Sequence, residues 1–220
     1  LESYGRGRAP GWHLAYLPTP GLIRLRLDGH AKVDDTEFRQ VFDRAFSKLC
    51  HELGRNLIYD GDATAAEILL DTLRRRNLTV ASAESCTGGA IASRITAIAG
   101  ASDVYLGSVV SYSNDVKHKV LGVSVDDLAA HGAVSRPVVE QMARGVCELT
   151  GARCAMATSG IAGPGGGSPE KPVGTVWMAW CMDGKVNSHE FHFPGNRARV
   201  IDRATTEAML QLVNHIRNHE

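Results

Sequence analysis

Net charge is the first thing this sequence lacks: 24 Lys and Arg residues balance 24 Asp and Glu over 220 positions. The balance excludes the broad basic surface with which proteins hold nucleic acid, and leaves room only for a local patch. No run approaches the roughly 20 apolar residues that cross a bilayer, and no secretory apolar segment is present, so no membrane partner is expected. The five cysteines (50, 86, 147, 154 and 181) form no CxxC pair. Their odd number, with apolar surroundings for Cys147, Cys154 and Cys181, points to thiols in a reducing cytoplasm rather than a disulfide framework. Nine histidines are scattered without HExxH or another ligand cluster. His189 and His192, three apart in a strand-like stretch, face opposite ways. No metal and no cofactor is expected. Familiar catalytic signatures are missing too. There is no Gly-x-Ser-x-Gly elbow, no phosphate loop ending in Gly-Lys-Ser/Thr, and no lysine three residues after Ser85. Tyr112 and Lys117 are one residue further apart than in Tyr-x-x-x-Lys, and a glycine-rich dinucleotide fingerprint is absent.

What is present suits one domain, or one domain and a smaller appendage, with enough chain to bury a core. The chain opens on Leu in mid-texture and reads as a piece of something longer. Residues 1–11 are Gly/Arg/Pro-rich, a tail or linker. Residues 12–60 read as a small β-α-β unit. Its first strand-like stretch is 12–27, where Ile23-Arg-Leu-Arg-Leu27 alternates. Asp34-Asp-Thr-Glu37 is a capping box before an amphipathic helix, and a short strand is expected near Leu57–Tyr59. The alternating arginines suggest RNA, but without a Gly-x-x-Gly clamp or net positive charge a scaffold is the better reading. A composition break at Asp60-Gly-Asp62 opens the main domain, residues 61–220. Here Thr64-Ala-Ala-Glu67 is a second capping box. Strand-like and helix-like segments then alternate through 182, Asp183-Gly184 marks a hairpin, and 197–217 closes the chain as a helix. That order predicts an α/β fold, a three-layer α/β/α sandwich with a mixed sheet, beside a small α+β N-terminal domain.

Three stretches carry candidate chemistry. Ser82-Ala-Glu-Ser85-Cys-Thr-Gly-Gly89 leaves an apolar strand and opens a helix, so a hydroxyl meets several main-chain N–H groups at a helix N-terminus. That place favours a phosphate or the oxyanion of an acyl transfer. A capped helix with glycines in a tight turn explains the same residues. Next, Tyr112 closes a strand and Lys117 follows near the start of a helix, converging on the strand ends where open α/β sheets bind ligands. Without a placed histidine, a desolvated lysine is the natural proton acceptor for Ser85, and Tyr112 could relay or orient the proton. A surface lysine and a half-buried tyrosine are the plain alternative. Finally, the loop 159–172 presents main-chain N–H groups with little steric cover, suited to an anion or a planar amide, or is simply a surface loop.

Six motifs in order, Glu84-Ser-Cys-Thr-Gly-Gly89, Ser111-Tyr-Ser-Asn114 with Lys117, Gly132-Ala-Val-Ser135, Ser159-Gly-Ile-Ala-Gly-Pro-Gly-Gly166, Glu170-Lys-Pro-Val-Gly-Thr175 and Phe193-Pro-Gly-Asn-Arg197, resemble the C-terminal domain of the competence/damage-inducible protein CinA family. That family includes nicotinamide-nucleotide amidohydrolases. The similarity runs from about residue 62 to 212, and residues 12–60 resemble the family's KH-like linker domain. The family's N-terminal molybdopterin-binding-like domain, with its associated pyrophosphatase activity, is expected to be absent from this chain. The resemblance implies hydrolysis of nicotinamide mononucleotide to nicotinic acid mononucleotide and ammonia. In that scheme Ser85 is the nucleophile, Lys117 the base and Tyr112 its helper. Thr87, Gly88 and Gly89 would be oxyanion donors, and Asn114, Gly160, Ala162, Gly163, Gly165, Gly166 and Arg197 would contact the nucleotide. Self-association, as a dimer first, is also implied. One departure is Gly195-Asn196-Arg197 where the family usually has Gly-Asp-Arg, which bears on rim geometry. The other class of answer keeps the fold and drops catalysis: a nucleotide- or partner-binding regulatory module.

Overall fold

The computed structural model describes residues 13–19, 22–30 and 36–218, and these divide into two compact units, Leu1–Asp62 and Ala63–Glu220. The expected tail at 1–11 lies outside the described residues.

In the first unit, β1 (His13–Thr19) pairs antiparallel with β2 (Leu22–Asp28), in register from His13 opposite Asp28 to Thr19 opposite Leu22. Helix α1 (Thr36–Leu53) follows, with Phe42 and Phe46 stacked one turn apart and Leu49 buried. The order is therefore β-β-α, which corrects the expected β-α-β. Two paired strands, not one, lie within the stretch read as strand-like. The strand expected near Leu57–Tyr59 is not formed. Leu57 N donates to Gly54 O at 3.1 Å, closing a tight turn where extended backbone was expected. Asp34 and Asp35 of the first capping box lie outside the described residues.

The second unit starts with α2 (Ala65–Arg75), where the capping box forms: Thr64 N donates to Glu67 Oε2 at 2.7 Å and Glu67 N to Thr64 Oγ1 at 3.3 Å. Then come β3 (Val80–Glu84), α3 (Ala90–Thr96), β4 (Tyr105–Val110), α4 (Asn114–Leu121), α5 (Val125–His131), α6 (Arg136–Thr150), β5 (Cys154–Gly160), β6 (Thr175–Met182), β7 (Lys185–His192) and α7 (Arg197–Asn218). The sheet order is β4-β3-β5-β6-β7, parallel through the first three strands and antiparallel after β5. The sheet is thus mixed. Asp183 and Gly184 take the two left-handed positions of the β6–β7 turn, with φ of 47° and 82°.

The layers follow from the alternation of side chains along central strands. Ala81 and Ala83 of β3 and Ala155 and Ala157 of β5 join Val138, Met142 and Val146 of α6 in one buried cluster. Their neighbours Val80, Ser82 and Glu84 therefore face the opposite layer, built by α2, α3 and α7. There α7 is tied to the sheet by Trp180 Nε1 donating to Ala208 O at 2.8 Å. Small residues on β3 and β5 let both helical layers approach closely, and the carboxyl ends of these two strands carry the chemistry described next.

Candidate active site

Ser85 is the first residue beyond β3, held to β5 by its N–H on Thr158 O at 2.9 Å and exposing 9% of its surface. Glu84, the residue before it, is fully buried and its carboxylate fills the N-terminus of α3. Oε2 accepts from Thr87 Oγ1 at 2.7 Å, Gly89 N at 3.0 Å and Ile91 N at 3.1 Å, and Oε1 accepts from Ala92 N at 2.9 Å. An interior carboxylate is tolerated because each lone-pair direction meets a donor. The anion site anticipated at this helix start is therefore occupied from within.

This corrects two expected oxyanion donors. Gly89 N is committed to Glu84, and Gly88 N donates to Ser85 O at 3.2 Å, so neither is free for a substrate. In this turn the N–H groups of Cys86 and Thr87 donate to no other residue among those described, and the Cys86 N–H lies against its own thiol. Cys86 lines the cavity, and its thiol is pushed up to about 12 by burial, which keeps it protonated beside the serine.

Lys117 is 1% exposed, and its Nζ sits 3.0 Å from Ser85 Oγ, 2.6 Å from Ser111 O and 3.4 Å from Tyr112 O. Desolvation lowers its pKa from the ordinary 10.5. Helix α4 holds it there: Ser113 caps the first turn by accepting from Val116 N, and Gly122 ends the helix in a left-handed turn at φ 68°. Gly145 of α6 lets α4 come close. A Cβ on Gly145 would stand 2.0 Å from the carbonyl oxygen of Leu121, one turn beyond Lys117. Nothing in the local sequence marked Gly145, because its role depends on a helix 24 positions earlier.

Tyr112 differs from expectation. Its ring is 62% exposed, its hydroxyl accepts from Arg197 Nη2 at 3.1 Å, and only its main-chain carbonyl reaches Lys117. The phenol lines the same cavity as Ser85 and Lys117, with its hydroxyl bonded to Arg197. Arg197 Nη1 also donates to Gly163 O at 3.0 Å, so one guanidinium ties the glycine loop to Tyr112. Asn196 is accounted for as well: its Oδ1 accepts from Arg199 N at 3.0 Å and caps α7. Asn caps a helix as well as Asp, so loss of the charge leaves this turn intact.

Ser85, Cys86, Tyr112, Asn114, Lys117, Ser159, Gly160, Ala162 and Arg197, with Ala133 and Val134, enclose a cavity of about 180 Å³. Gly160, Ala162, Asn114 and Arg197 of the expected substrate contacts are brought together here. Gly163, Gly165 and Gly166 are not on the wall, and the last two are exposed. The Ala133–Val134 wall was not anticipated as a contact. Its position is fixed by Ser159 Oγ donating to Ala133 O at 2.7 Å, which joins two separate motifs. Among the described residues no cluster of His, Cys, Asp or Glu could hold a metal, and no helix is long and apolar enough to cross a membrane. A hydroxyl in contact with a buried amine of lowered pKa, on the wall of a small polar cavity, can act as an activated nucleophile.

Comparison with known proteins gives a consistent result. The CinA C-terminal domain family matches residues 62–216. A CinA-like protein of Salinibacter ruber is 44% identical over 184 residues, covering 84% of this chain and 44% of that protein. One from Gemmatimonas aurantiaca is 41% identical over 202 residues, covering 92% and 47%. The chain thus spans about half the length of the curated relatives it matches. Among solved structures, a competence-damaged protein (CinA) superfamily protein from Klebsiella pneumoniae superposes with a TM-score of 0.68 at 36% identity. It covers 71% of this chain and 99% of its own. A competence/damage inducible protein from Agrobacterium tumefaciens gives 0.66 at 41% identity, covering 68% and 92%.

Proposed function

The chain belongs to the CinA C-terminal domain family, and on that premise we propose that it is a serine amidohydrolase. Its substrate in this reading is nicotinamide mononucleotide, which it converts to nicotinic acid mononucleotide and ammonia. The observation that carries the reading is the 3.0 Å contact between Lys117 Nζ and Ser85 Oγ in a buried setting. A ligand-binding module has no need of a desolvated amine against a hydroxyl, whereas a nucleophile needs a base at hydrogen-bond distance.

The proton inventory around Lys117 gives the direction of transfer. Ser111 O and Tyr112 O can only accept, so they take two N–H bonds of the amine. In the neutral amine the remaining lone pair faces Ser85 Oγ. The serine proton moves to Nζ as Oγ forms a bond to the amide carbon, and the carbonyl π electrons move onto oxygen. Collapse of that tetrahedral species breaks the C–N bond, and the lysine proton goes to the departing nitrogen, which leaves as ammonia. Water, losing a proton to the regenerated amine, then attacks the ester. The acid leaves, and Ser85 recovers its proton.

The cavity is smaller than the roughly 300–1,000 Å³ that bury a drug-sized ligand. At about 180 Å³ it accommodates the planar amide head, with the ribose and phosphate across the rim. Arg197 suits a phosphate there. Its two bonds go to neutral oxygens, and it has no carboxylate partner among the described residues.

The test is release of ammonia and nicotinic acid mononucleotide from nicotinamide mononucleotide, run with Ser85→Ala and Lys117→Ala. The expected result is turnover in the parent and a loss of about 10³-fold or more in each folded variant, since members of such a unit act together. An inert parent that still binds the nucleotide overturns the enzyme reading in favour of a binding module.

A further inference from the structure

We infer that Glu84 is the positioning residue of the oxyanion site, and that it assigns the oxyanion to the N–H groups of Cys86 and Thr87. The inference rests on the amidohydrolase reading above for its reaction, and on the hydrogen-bond pattern of the turn for its geometry.

A helix start offers several unpaired N–H groups, and a carbonyl oxygen could settle on any of them. Glu84 removes that ambiguity. Its two oxygens take Gly89 N, Ile91 N and Ala92 N, while Gly88 N closes a turn on Ser85 O. The same carboxylate accepts Thr87 Oγ1, which also meets Thr158 Oγ1 at 2.8 Å, anchoring the turn to β5. On its far side Glu84 Oε1 accepts from Ser108 Oγ at 3.4 Å. Ser108 in turn receives Ser82 Oγ at 2.9 Å, and Ser82 meets Tyr105 OH at 2.9 Å. The carboxylate is thus held from three strands, β3, β4 and β5. Among the described residues, Cys86 N and Thr87 N, directly after the nucleophile, are the N–H groups of the turn that no other residue claims. Cys86 lines the cavity, Thr87 stands behind it, and the Cys86 N–H has only its own weakly accepting thiol as a neighbour. Donors fixed before the reaction cost no reorganisation when charge develops on the carbonyl oxygen, which is where a preorganised site gains its effect.

Glu84 never touches substrate in this scheme. It acts by holding the turn, so its loss affects the tetrahedral species and leaves ground-state binding alone. Glu84→Gln keeps the shape but points an NH₂ group at one of the N–H donors. Glu84→Asp keeps the charge but shortens the reach. Both are expected to lower kcat by about 10²-fold with KM within about threefold, the pattern of an interaction made in the transition state. Pyridine-3-boronic acid, which forms a tetrahedral adduct with a serine hydroxyl, is expected to bind each variant about 10²-fold more weakly than the parent. Circular dichroism and melting temperature establish that the variants fold. A folded Glu84→Gln with kcat within about twofold of the parent overturns the inference, as does a rise in KM alone.

A second measurement needs no variant. In the ¹⁵N-labelled parent, the boronic acid is expected to shift the amide protons of Cys86 and Thr87 strongly, and those of Gly88 and Gly89 little. Movement of Gly88 or Gly89 instead contradicts the assignment. Because the boronate reacts with Ser85 whatever the natural amide is, this result stands even if nicotinamide mononucleotide is not turned over. Failure of the inference and failure of the substrate reading are therefore distinguishable.

Discussion

An amine in contact with two carbonyl oxygens and a hydroxyl, almost wholly buried at the cavity wall, is a weaker base than a free lysine yet better suited to accept a proton near neutral pH. Burial lowers the pKa of Lys117 from 10.5, so more of it is neutral near physiological pH than of an exposed lysine. The pH–rate profile of kcat/KM should accordingly rise as pH increases, with its inflection below 10.5. An inflection at or above that value would contradict Lys117 as the base. The same shift has a consequence for stability. Because the folded pKa is lowered, the unfolded chain binds more protons between the lowered value and 10.5, so Lys117 lends the folded state stability as pH rises through that window. The parent should therefore gain on a Lys117→Met variant across it, measured by denaturant midpoints at several pH values. Identical slopes would mean that the lysine is not perturbed. At the rim, Asn196→Asp should leave stability within about 0.5 kcal/mol and KM within about twofold, because both residues cap α7 alike. A tenfold gain in kcat/KM would mean that an acid here acts on Arg197. At this scale residue type left Lys117 open between a surface lysine and a base for Ser85, and only the resemblance decided for the base; the structure puts the two in contact. The orientation of Tyr112 was not legible, since a phenol ending a strand fits core and rim equally well. The setting of Glu84 was hidden because three of its partners, Gly89 N, Ile91 N and Ala92 N, are main-chain groups that no side-chain pattern records.

Elements transmit position to the site through close contacts. Helix α4 carries Lys117, and its end leans on α6 where Gly145 faces Leu121 O. Gly145→Ala should therefore push α4 away and stretch the Lys117–Ser85 contact. The expectation is a stability loss of about 1–3 kcal/mol from overpacking, with kcat falling by more than the same loss produces elsewhere in the fold. An unchanged kcat would show that α4 is fixed without α6. The Thr64–Glu67 capping box and the Asp183-Gly184 turn were legible because they are local rules of short sequence range. The pairing of β1 with β2 was not legible, because alternation marks a strand without recording its partner. The strand expected at Leu57–Tyr59 failed because strand formation depends on a partner, which lies outside any local window.

For the whole chain, the candidate site lies within Ala63–Glu220, one of the two compact units. A solved Klebsiella chain is matched over 99% of its length by 71% of this one, so this architecture exists without the first unit. A fragment beginning at Ala63 should keep kcat within about twofold and a single cooperative transition, checked by the ammonia assay and thermal unfolding. Dependence of activity on the first unit would contradict that division. The order of segments was enough to read the layers, since alternation ending in a hairpin implies a mixed sheet between helices. Which walls meet around Ser85 was not, because Ala133, Ser159 and Arg197 come from a loop, a strand end and a helix start that are far apart in the chain.

The most direct measurement is rapid quench of the parent mixed with nicotinamide mononucleotide, followed by peptide mass spectrometry. An acyl-nucleotide ester on Ser85 that forms and decays at the rate of ammonia release is the predicted result. Turnover with no ester on Ser85, or with the adduct on Cys86, would contradict the account.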